Sequence, residues 1–511
     1  MQDNTTLTTA AGTKELYAYQ LGDVTTLLDK IDTCPLNHRL LYQLPTGGGK
    51  TVIFSEIAAR FIQKYGRKVV VLTHRNELCQ QTSRTLKNRG IRNKTINSTV
   101  KRVLRTDNYE CYVAMVETLK NRIRDGKMNT DNVGLVIIDE AHHNSFQKLI
   151  GKFKNAIVIG ITATPLSSDI NLPLNGSYSE LIVGEPITSL IDKGFLAKPT
   201  TWRYDVELNT LKTAAHGDFT VSSSDALYSS TAMLDLLLQA YEAHSKGKKT
   251  LIFNTGIFTS REVCRLFNEA GYPVRHLDNK TAAAERAEIL TWFKKTKGAI
   301  LTSVSILTTG FDEPTVQAVI LNRATNSLTL YYQMIGRGSR RLPQKKTFSI
   351  IDLGNNTDRF GEWSAPVDWK YVFESPEQYQ QQIGNQSEYE SHGIPAEARS
   401  AFPNSLEISF DVQKAYQQAA ESGQKHKFVI RDSIRQHALM CADNASTISE
   451  ALQLAGELEK EIDWRIKQYA KCLGTVTRNY IEWLQGNYRA KLSLLVQKIM
   501  QRRLRHEPAA T

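Results

Sequence analysis

The chain has 511 residues, 41% of them apolar types, too many for one core and enough to build several, so two to four domains are expected and a fibrous or disordered chain is excluded. Lysine and arginine number 64 against 52 acidic residues, a formal charge of +12, so the surface favours polyanions, nucleic acid first among them. The six cysteines (Cys34, Cys79, Cys111, Cys264, Cys441, Cys472) show no C-x-x-C spacing. That argues against a disulfide framework or a cysteine-rich zinc site and predicts a reducing, cytoplasmic setting. No run approaches the roughly 18 consecutive apolar residues of a membrane span, and the opening MQDNTTLTTAAGTK lacks the order of a secretory signal.

Residues 1–13 read as a short disordered tail. From Lys14 onward, apolar runs alternate with amphipathic segments. Residues 69–72, 133–138 and 157–161 are almost continuous β-branched or apolar runs, the pattern of strands covered on both faces of a parallel sheet. Between them, residues 51–65 place Ile53, Ile57 and Phe61 at steps of four and stop at Gly66, which predicts a helix opening directly from the glycine-rich segment before it. A first α/β domain is expected over 14–199.

Residues 200–230 are rich in Thr and Ser without clear period and read as a connector. A second α/β domain is expected over 231–361, with strands near 250–253, 299–301, 316–321 and 348–353 and helices near 233–241 and 261–270. Residues 362–405 read as a linker and 406–511 as a mainly helical domain ending in a basic amphipathic segment, 488–506. In that region Trp464, Tyr480 and Trp483 are expected in the core rather than on bases.

Two distant segments carry chemistry. LPTGGGKT (44–51) departs from the strict phosphate-loop pattern only in having Leu44 at the first glycine position. Gly47, Gly48 and Gly49 let backbone N–H groups curl around a phosphate, Lys50 neutralises its oxygens, and the Thr51 hydroxyl suits Mg²⁺. VIIDEAHH (136–143) sets Asp139 and Glu140 at the carboxyl end of a predicted strand, where open α/β sheets bind ligands. Asp139 can hold Mg²⁺ while Glu140 polarises the attacking water. QMIGRGSRR (333–341) supplies Arg337 and Arg340 to neutralise charge at the transferred phosphoryl group; if helical, their spacing places both on one face, with Gln333 a turn before Arg337.

The order of these segments resembles the superfamily 2 DNA and RNA helicases of the DEAH form, over roughly 14–361. YAYQ (17–20) is similar to the adenine-recognition segment, with Gln20 as reader. LPTGGGKT resembles motif I, THRNEL (73–78) motif Ia, VAMVETL (113–119) the strand-contacting motif, DEAH (139–142) motif II and TATP (162–165) motif III. Residues 251–255 resemble motif IV, TSVSILTTGFD (302–312) motif V and 333–340 motif VI. The resemblance implies two RecA-like domains with ATP and Mg²⁺ between them. It gives Thr46, Gly310 and Asp312 to the nucleotide, and His142, Thr162 and Thr164 to the coupling of hydrolysis with domain movement. It gives His74, Arg75, Thr118, Asn254, Thr255 and Thr302 to a nucleic-acid strand. VLTHRNEL, HGDF (216–219), TTGFDEP and IDLGNNTDRFG (351–361) are similar to RadD-type bacterial helicases. Only Cys441 and Cys472 follow Gly361, however, where that group generally carries a cysteine-rich zinc module, which puts its double-strand-break-repair role in doubt for this chain and leaves repair or replication as the expected setting.

The expected function is an ATP-dependent helicase or translocase, on DNA before RNA, with 362–511 as a possible protein-binding region and no membrane contact. An ATP-gated clamp without strand separation has the same motifs and stays open, as does an RNA motor.

Overall fold

The computed structural model describes residues 15–98, 100, 108–169, 172–214, 217–304, 307, 311–388, 400–405, 410–412, 415, 416, 419, 426–473 and 477–506. The predicted tail, and parts of the predicted linker and helical domain, lie outside them.

Seven parallel strands form the first sheet: β1 (Arg39–Gln43), β2 (Lys68–Thr73), β3 (Asn93–Ile96), β4 (Cys111–Met115), β5 (Val133–Asp139), β6 (Ile157–Thr162) and β7 (Glu180–Val183), in the order β3-β4-β2-β5-β6-β1-β7. The apolar runs fall on β2, β5 and β6, which lie inside this sheet and are buried almost throughout. Every pairing is parallel, so the carboxyl ends share one edge. At that edge β5, β6 and β1 are neighbours. The order therefore gathers the DEAH, TATP and LPTGGGKT segments, which are separated in sequence.

The second sheet comprises β8 (Lys198–Arg203), β9 (Thr250–Asn254), β10 (Val274–Leu277), β11 (Ile300–Val304), β12 (Ala318–Asn322) and β13 (Thr347–Asp352), also all parallel, in the order β10-β11-β9-β12-β13-β8. Strand β8 corrects the expected connector. It pairs with β13 alone, and Pro199 is tolerated because an edge strand needs hydrogen bonds on one side only. The second domain thus begins about thirty residues earlier than its predicted start, and the helix Val221–Tyr228 also falls in the expected connector. The expected linker likewise contains the helices Trp369–Glu374 and Pro376–Glu388.

Four helices, Lys427–Asp443, Ile448–Glu457, Glu459–Leu473 and Arg478–His506, pack around Ile434, Ala438, Ile462, Ile466, Leu492 and Val496. Trp483 contradicts the expected core placement: it is 58% exposed and stacks on Tyr480, itself exposed, with ring centroids 5.8 Å apart. Leu484, Tyr488 and Leu492 take the inward face of that helix instead. No helix among the described residues is long and apolar enough to cross a membrane.

Candidate nucleotide site and strand-facing groove

The phosphate loop leaves β1 where the Leu44 N–H donates to Thr162 O on β6 (3.0 Å). Gly47 (φ +93°) and Gly49 (φ +87°) hold left-handed conformations that a side chain disfavours. The Leu44 side chain is fully buried beneath the loop, and a Cβ on Gly48 would press into it at 2.9 Å. An apolar floor therefore occupies the place of the missing glycine. The helix Lys50–Tyr65 starts at Gly49 with no side-chain cap, which leaves its first-turn N–H groups for an anion. The Lys50 ammonium donates to Leu44 O (3.3 Å); burial pushes its pKa down, and Glu140 and Asp139 oppose that.

Gln20 and Tyr19 support the loop from behind. Gln20 accepts from the Tyr17 N–H (3.1 Å) and its amide nitrogen lies 3.5 Å from Gly48 O, while the Tyr19 hydroxyl donates to Gly48 O (2.8 Å). The amide expected to read adenine is thus buried and engaged with the chain. Tyr17 and Tyr19 pack on Phe195, with centroids 4.5 and 5.0 Å away, forming an aromatic cluster beside the loop.

At the end of β5 the Glu140 N–H donates to Asp139 Oδ1 (3.1 Å), and Glu140 takes a left-handed φ of +55°, a strained conformation for a residue with a side chain. Its Oε2 is buried without a hydrogen bond among the described residues and faces His142 Nδ1 at 3.5 Å. Burial, then the Glu140 charge, pushes Asp139 up to about 7, while Lys50 pulls it back. Burial alone would raise Glu140, but the Lys50 charge, helped by Arg337, holds it below the usual carboxylate range. Two adjacent carboxylates thus have different proton affinities. Thr51 and Asp139 offer the hard oxygen donors that Mg²⁺ takes, alongside substrate phosphates, rather than a full protein cage. No group of three or more His, Cys, Asp or Glu suited to a metal occurs among the described residues.

His142 ties the site to β6 through Nδ1 and Thr162 Oγ1 (3.1 Å), and to the second domain through Nε2 and Gln333 Nε2 (3.3 Å). Thr164 Oγ1 donates to Thr329 Oγ1 (2.9 Å), a second bridge between domains. Thr329 has no motif signal of its own.

The arginines differ from the helical expectation. The helix Leu328–Ile335 ends before them, leaving Arg337 on a turn and Arg340 in an antiparallel bridge with Leu196. Half-buried Arg337 donates from Nη1 to Phe311 O, and Arg340 pairs with Asp312 (3.1 Å) and donates to Gly47 O (3.4 Å). Asp312 therefore holds an arginine. Gly336 is required here, since a Cβ would meet the Thr46 side chain at 2.6 Å. Gly310 lies outside the described residues, as does His216. Asp218, two residues on, accepts from Thr325 Oγ1 (2.8 Å) and the Asn326 N–H (2.8 Å) and pairs with Arg323 (3.2 Å), fixing the segment that leads into Gln333.

Of the residues expected on a strand, His74 and Arg75 follow β2 and Thr118 is half-buried on the helix Val116–Arg124. The His74 ring packs on His143 (centroids 4.3 Å apart), and burial lowers its pKa to about 4. Arg75 and Thr255 line a groove between the two domains. Asn254 and Thr302 are corrections: both are fully buried. Asn322 donates to Asn254 (2.7 Å), Asn254 to Thr302 (2.8 Å), and Thr302 meets Ser260 (2.8 Å), so these side chains brace the carboxyl ends of β9, β11 and β12 rather than face outward.

Comparison with known proteins places the chain beside helicases and restriction-enzyme subunits. Residues 13–167 match the family model "Type III restriction enzyme, res subunit" and residues 231–341 the model "Helicase conserved C-terminal domain". The chain is 31% identical over 372 residues to the inferred ATP-dependent helicase IRC3 of Saccharomyces cerevisiae, covering 66% of this chain and 52% of that protein. It is 30% identical over 340 residues to a 51.5 kDa protein of a Lactococcus phage, covering 65% and 70%. The chain thus spans about half the length of the yeast relative. In fold it is similar to a fragment of an inferred HsdR subunit of a type I restriction enzyme from Vibrio vulnificus YJ016, with a TM-score of 0.55 at 23% identity, covering 68% of this chain and 66% of that one.

Proposed function

The chain belongs to the superfamily 2 helicases, and from that premise we propose that it is an ATP-driven motor that translocates along DNA and separates or remodels strands. The observation that carries this reading is the pair of contacts across the domain seam, His142 to Gln333 and Thr164 to Thr329, beside a phosphate loop touched by Arg340. A nucleotide held there would contact both domains, so its hydrolysis would change how they meet.

In this reading the phosphate loop and Lys50 hold the phosphates, and Thr51 and Asp139 hold Mg²⁺, which when bound neutralises charge on the phosphate oxygens. Glu140, kept ionised by its cationic neighbours, accepts the proton of the attacking water. Arg337 and Arg340 neutralise the equatorial oxygens from the facing wall. Gln20 acts by holding the loop, and Asn254 and Thr302 by bracing the second sheet. Support for DNA as the track comes from the restriction-subunit model matched by the first domain and from the +12 charge of the chain.

The test is ATP turnover with matched DNA and RNA strands, followed by displacement from substrates with 3′ tails, 5′ tails and forks. DNA stimulation with displacement is expected. Glu140→Gln should lower stimulated turnover by about 10²-fold or more, and Lys50→Ala should abolish it, with circular dichroism unchanged. Wild-type turnover in either variant overturns the site, stimulation without displacement makes the protein a clamp, and preferential RNA stimulation reassigns the track.

A further inference from the structure

A groove of about 830 Å³ lies between the two sheet domains, with Arg75 and Glu77 on one wall and Val221, Thr255, Phe258 and Arg286 on the other. Glu77 and Arg286 pair across it at 3.7 Å. Phe258 is 59% exposed there, beside Val221, itself 53% exposed. Core packing does not account for an aromatic ring held so far into water. Thr255 lines the same groove, but its hydroxyl oxygen is shielded from solvent and has no hydrogen-bond partner among the described residues.

The ring stands on a rigid mount. It belongs to the first turn of the helix Ile257–Glu269, whose N-cap, Gly256, offers no side chain. The cap comes from another element: Asp225, on the helix Val221–Tyr228, accepts from the Thr259 N–H (3.3 Å) and the Thr259 hydroxyl (2.5 Å). A Cβ on Gly256 would come within 2.0 Å of the Asp225 carboxylate, so a glycine is what admits that cap. The direction of Phe258 is thereby set from outside its own helix.

An aromatic face and guanidinium groups in one open channel match an unpaired nucleic-acid strand, which presents base faces and phosphates together, whereas a duplex hides its base faces. We propose that Phe258 is a base-stacking residue, on which one unpaired base rests while Arg75 takes a flanking phosphate. The motor would then grip a base as well as the backbone at this point. The proposal deepens the motor reading and rests on it.

Fluorescence anisotropy with a labelled oligodeoxythymidylate and an abasic oligonucleotide of equal length tests it, because both carry the same phosphates. Phe258→Ala and Phe258→Leu should bind the thymidylate about 5- to 150-fold more weakly than wild type, the usual range for one base stack, and Phe258→Trp should bind as wild type does. The abasic strand should bind wild type and all three variants alike. Equal thymidylate affinity for wild type and Phe258→Ala overturns the proposal, as does an equal loss on the abasic strand or failure of wild type to bind either. Stimulation of wild-type ATP turnover is read separately: if it is absent while the stacking pattern holds, the motor reading fails and the stacking residue stands.

Discussion

Gln333 Nε2 lies 3.3 Å from His142 Nε2, across the seam between the two sheet domains. An amide nitrogen only donates, so His142 accepts at Nε2 and keeps its proton on Nδ1, facing Thr162 Oγ1 at 3.1 Å. The Thr162 hydroxyl in turn donates to Thr164 O (2.8 Å). Burial lowers His142 to about 3, so the ring stays neutral and the acceptor persists at physiological pH. The last residue of DEAH thus connects the carboxylates, motif III and the helix that leads to the arginines.

Removing either end of that contact should weaken coupling rather than nucleotide binding. Gln333→Ala is expected to lower nucleic-acid-stimulated turnover about fivefold, the effect of a hydrogen bond worth about 1 kcal/mol. Thr329→Val, which keeps shape but removes the acceptor for Thr164, should do the same. In a double-variant cycle Gln333→Ala should add nothing to His142→Ala, since one contact is lost in both. Fully additive losses would mean that the two side chains act apart.

The two arginines should not be equivalent. Arg337 is only half-buried as a residue, but its Nε is shielded from solvent, and desolvation draws its guanidinium down to about 10 against the opposing Glu140 charge, yet leaves it cationic at neutral pH. Arg340 is partly exposed and shares its charge with Asp312. Arg337→Ala should therefore show the greater loss, about 10³- to 10⁵-fold in single-turnover hydrolysis if it acts as an arginine finger. Arg337→Lys should not restore the rate, because an ammonium lacks the planar fork. Full turnover in the lysine variant would show that charge alone suffices.

What was legible in the sequence follows from which constraints leave a local mark. Strands β2, β5 and β6 are covered on both faces and so appear as unbroken apolar runs. The phosphate loop was legible because left-handed backbone at Gly47 and Gly49 selects glycine. Strand β8 was not: at the sheet edge it needs neither apolar continuity nor every N–H, so Pro199 passes for the end of the first domain and Thr200 and Thr201 for a connector. Motif position brings Asn254 and Thr302 to the carboxyl edge of their sheet. Whether a side chain there points outward or bonds its neighbour depends on packing that no motif encodes. Phe258 and Thr329 left no mark because their position beside the facing domain is a relation between distant residues rather than a pattern.

The helical domain rests on a buried cation. Arg465 is wholly enclosed, donating to Glu461 (2.7 Å), Ser433 (3.0 Å) and Gln436 (2.8 Å), with its guanidinium 5.2 Å from the Phe410 ring. It joins the helix Glu459–Leu473 to the helix Lys427–Asp443, and Tyr488 reaches Ser433 from the final helix (2.8 Å). Arg465→Ala leaves the Glu461 carboxylate without its buried partner and should cost about 3–5 kcal/mol in urea unfolding. Arg465→Met with Glu461→Gln should lose less than Arg465→Ala, because neither charge is then stranded. A double variant as unstable as Arg465→Ala would assign the loss to packing instead.

A second histidine sets an acid dependence away from the nucleotide. The His244 ring stacks on Trp202 of β8 (centroids 3.9 Å apart, 10° between planes) and its Nε2 meets the Tyr204 hydroxyl at 2.8 Å. Burial first, then Lys248, lowers its pKa to about 4, against about 6.5 for an exposed histidine. Between those values the unfolded chain binds the proton that the folded chain refuses. Stability from neutral His244 is therefore present above about pH 6.5 and is lost as the pH falls towards 4. Urea midpoints at pH 7 and pH 5 should drop further for wild type than for His244→Phe, which keeps a ring on Trp202 but cannot titrate. The difference between the two drops is the readout, because His74 and His142 are also held neutral and contribute to both. Equal drops would mean that His244 takes up its proton without disturbing the stack that anchors β8.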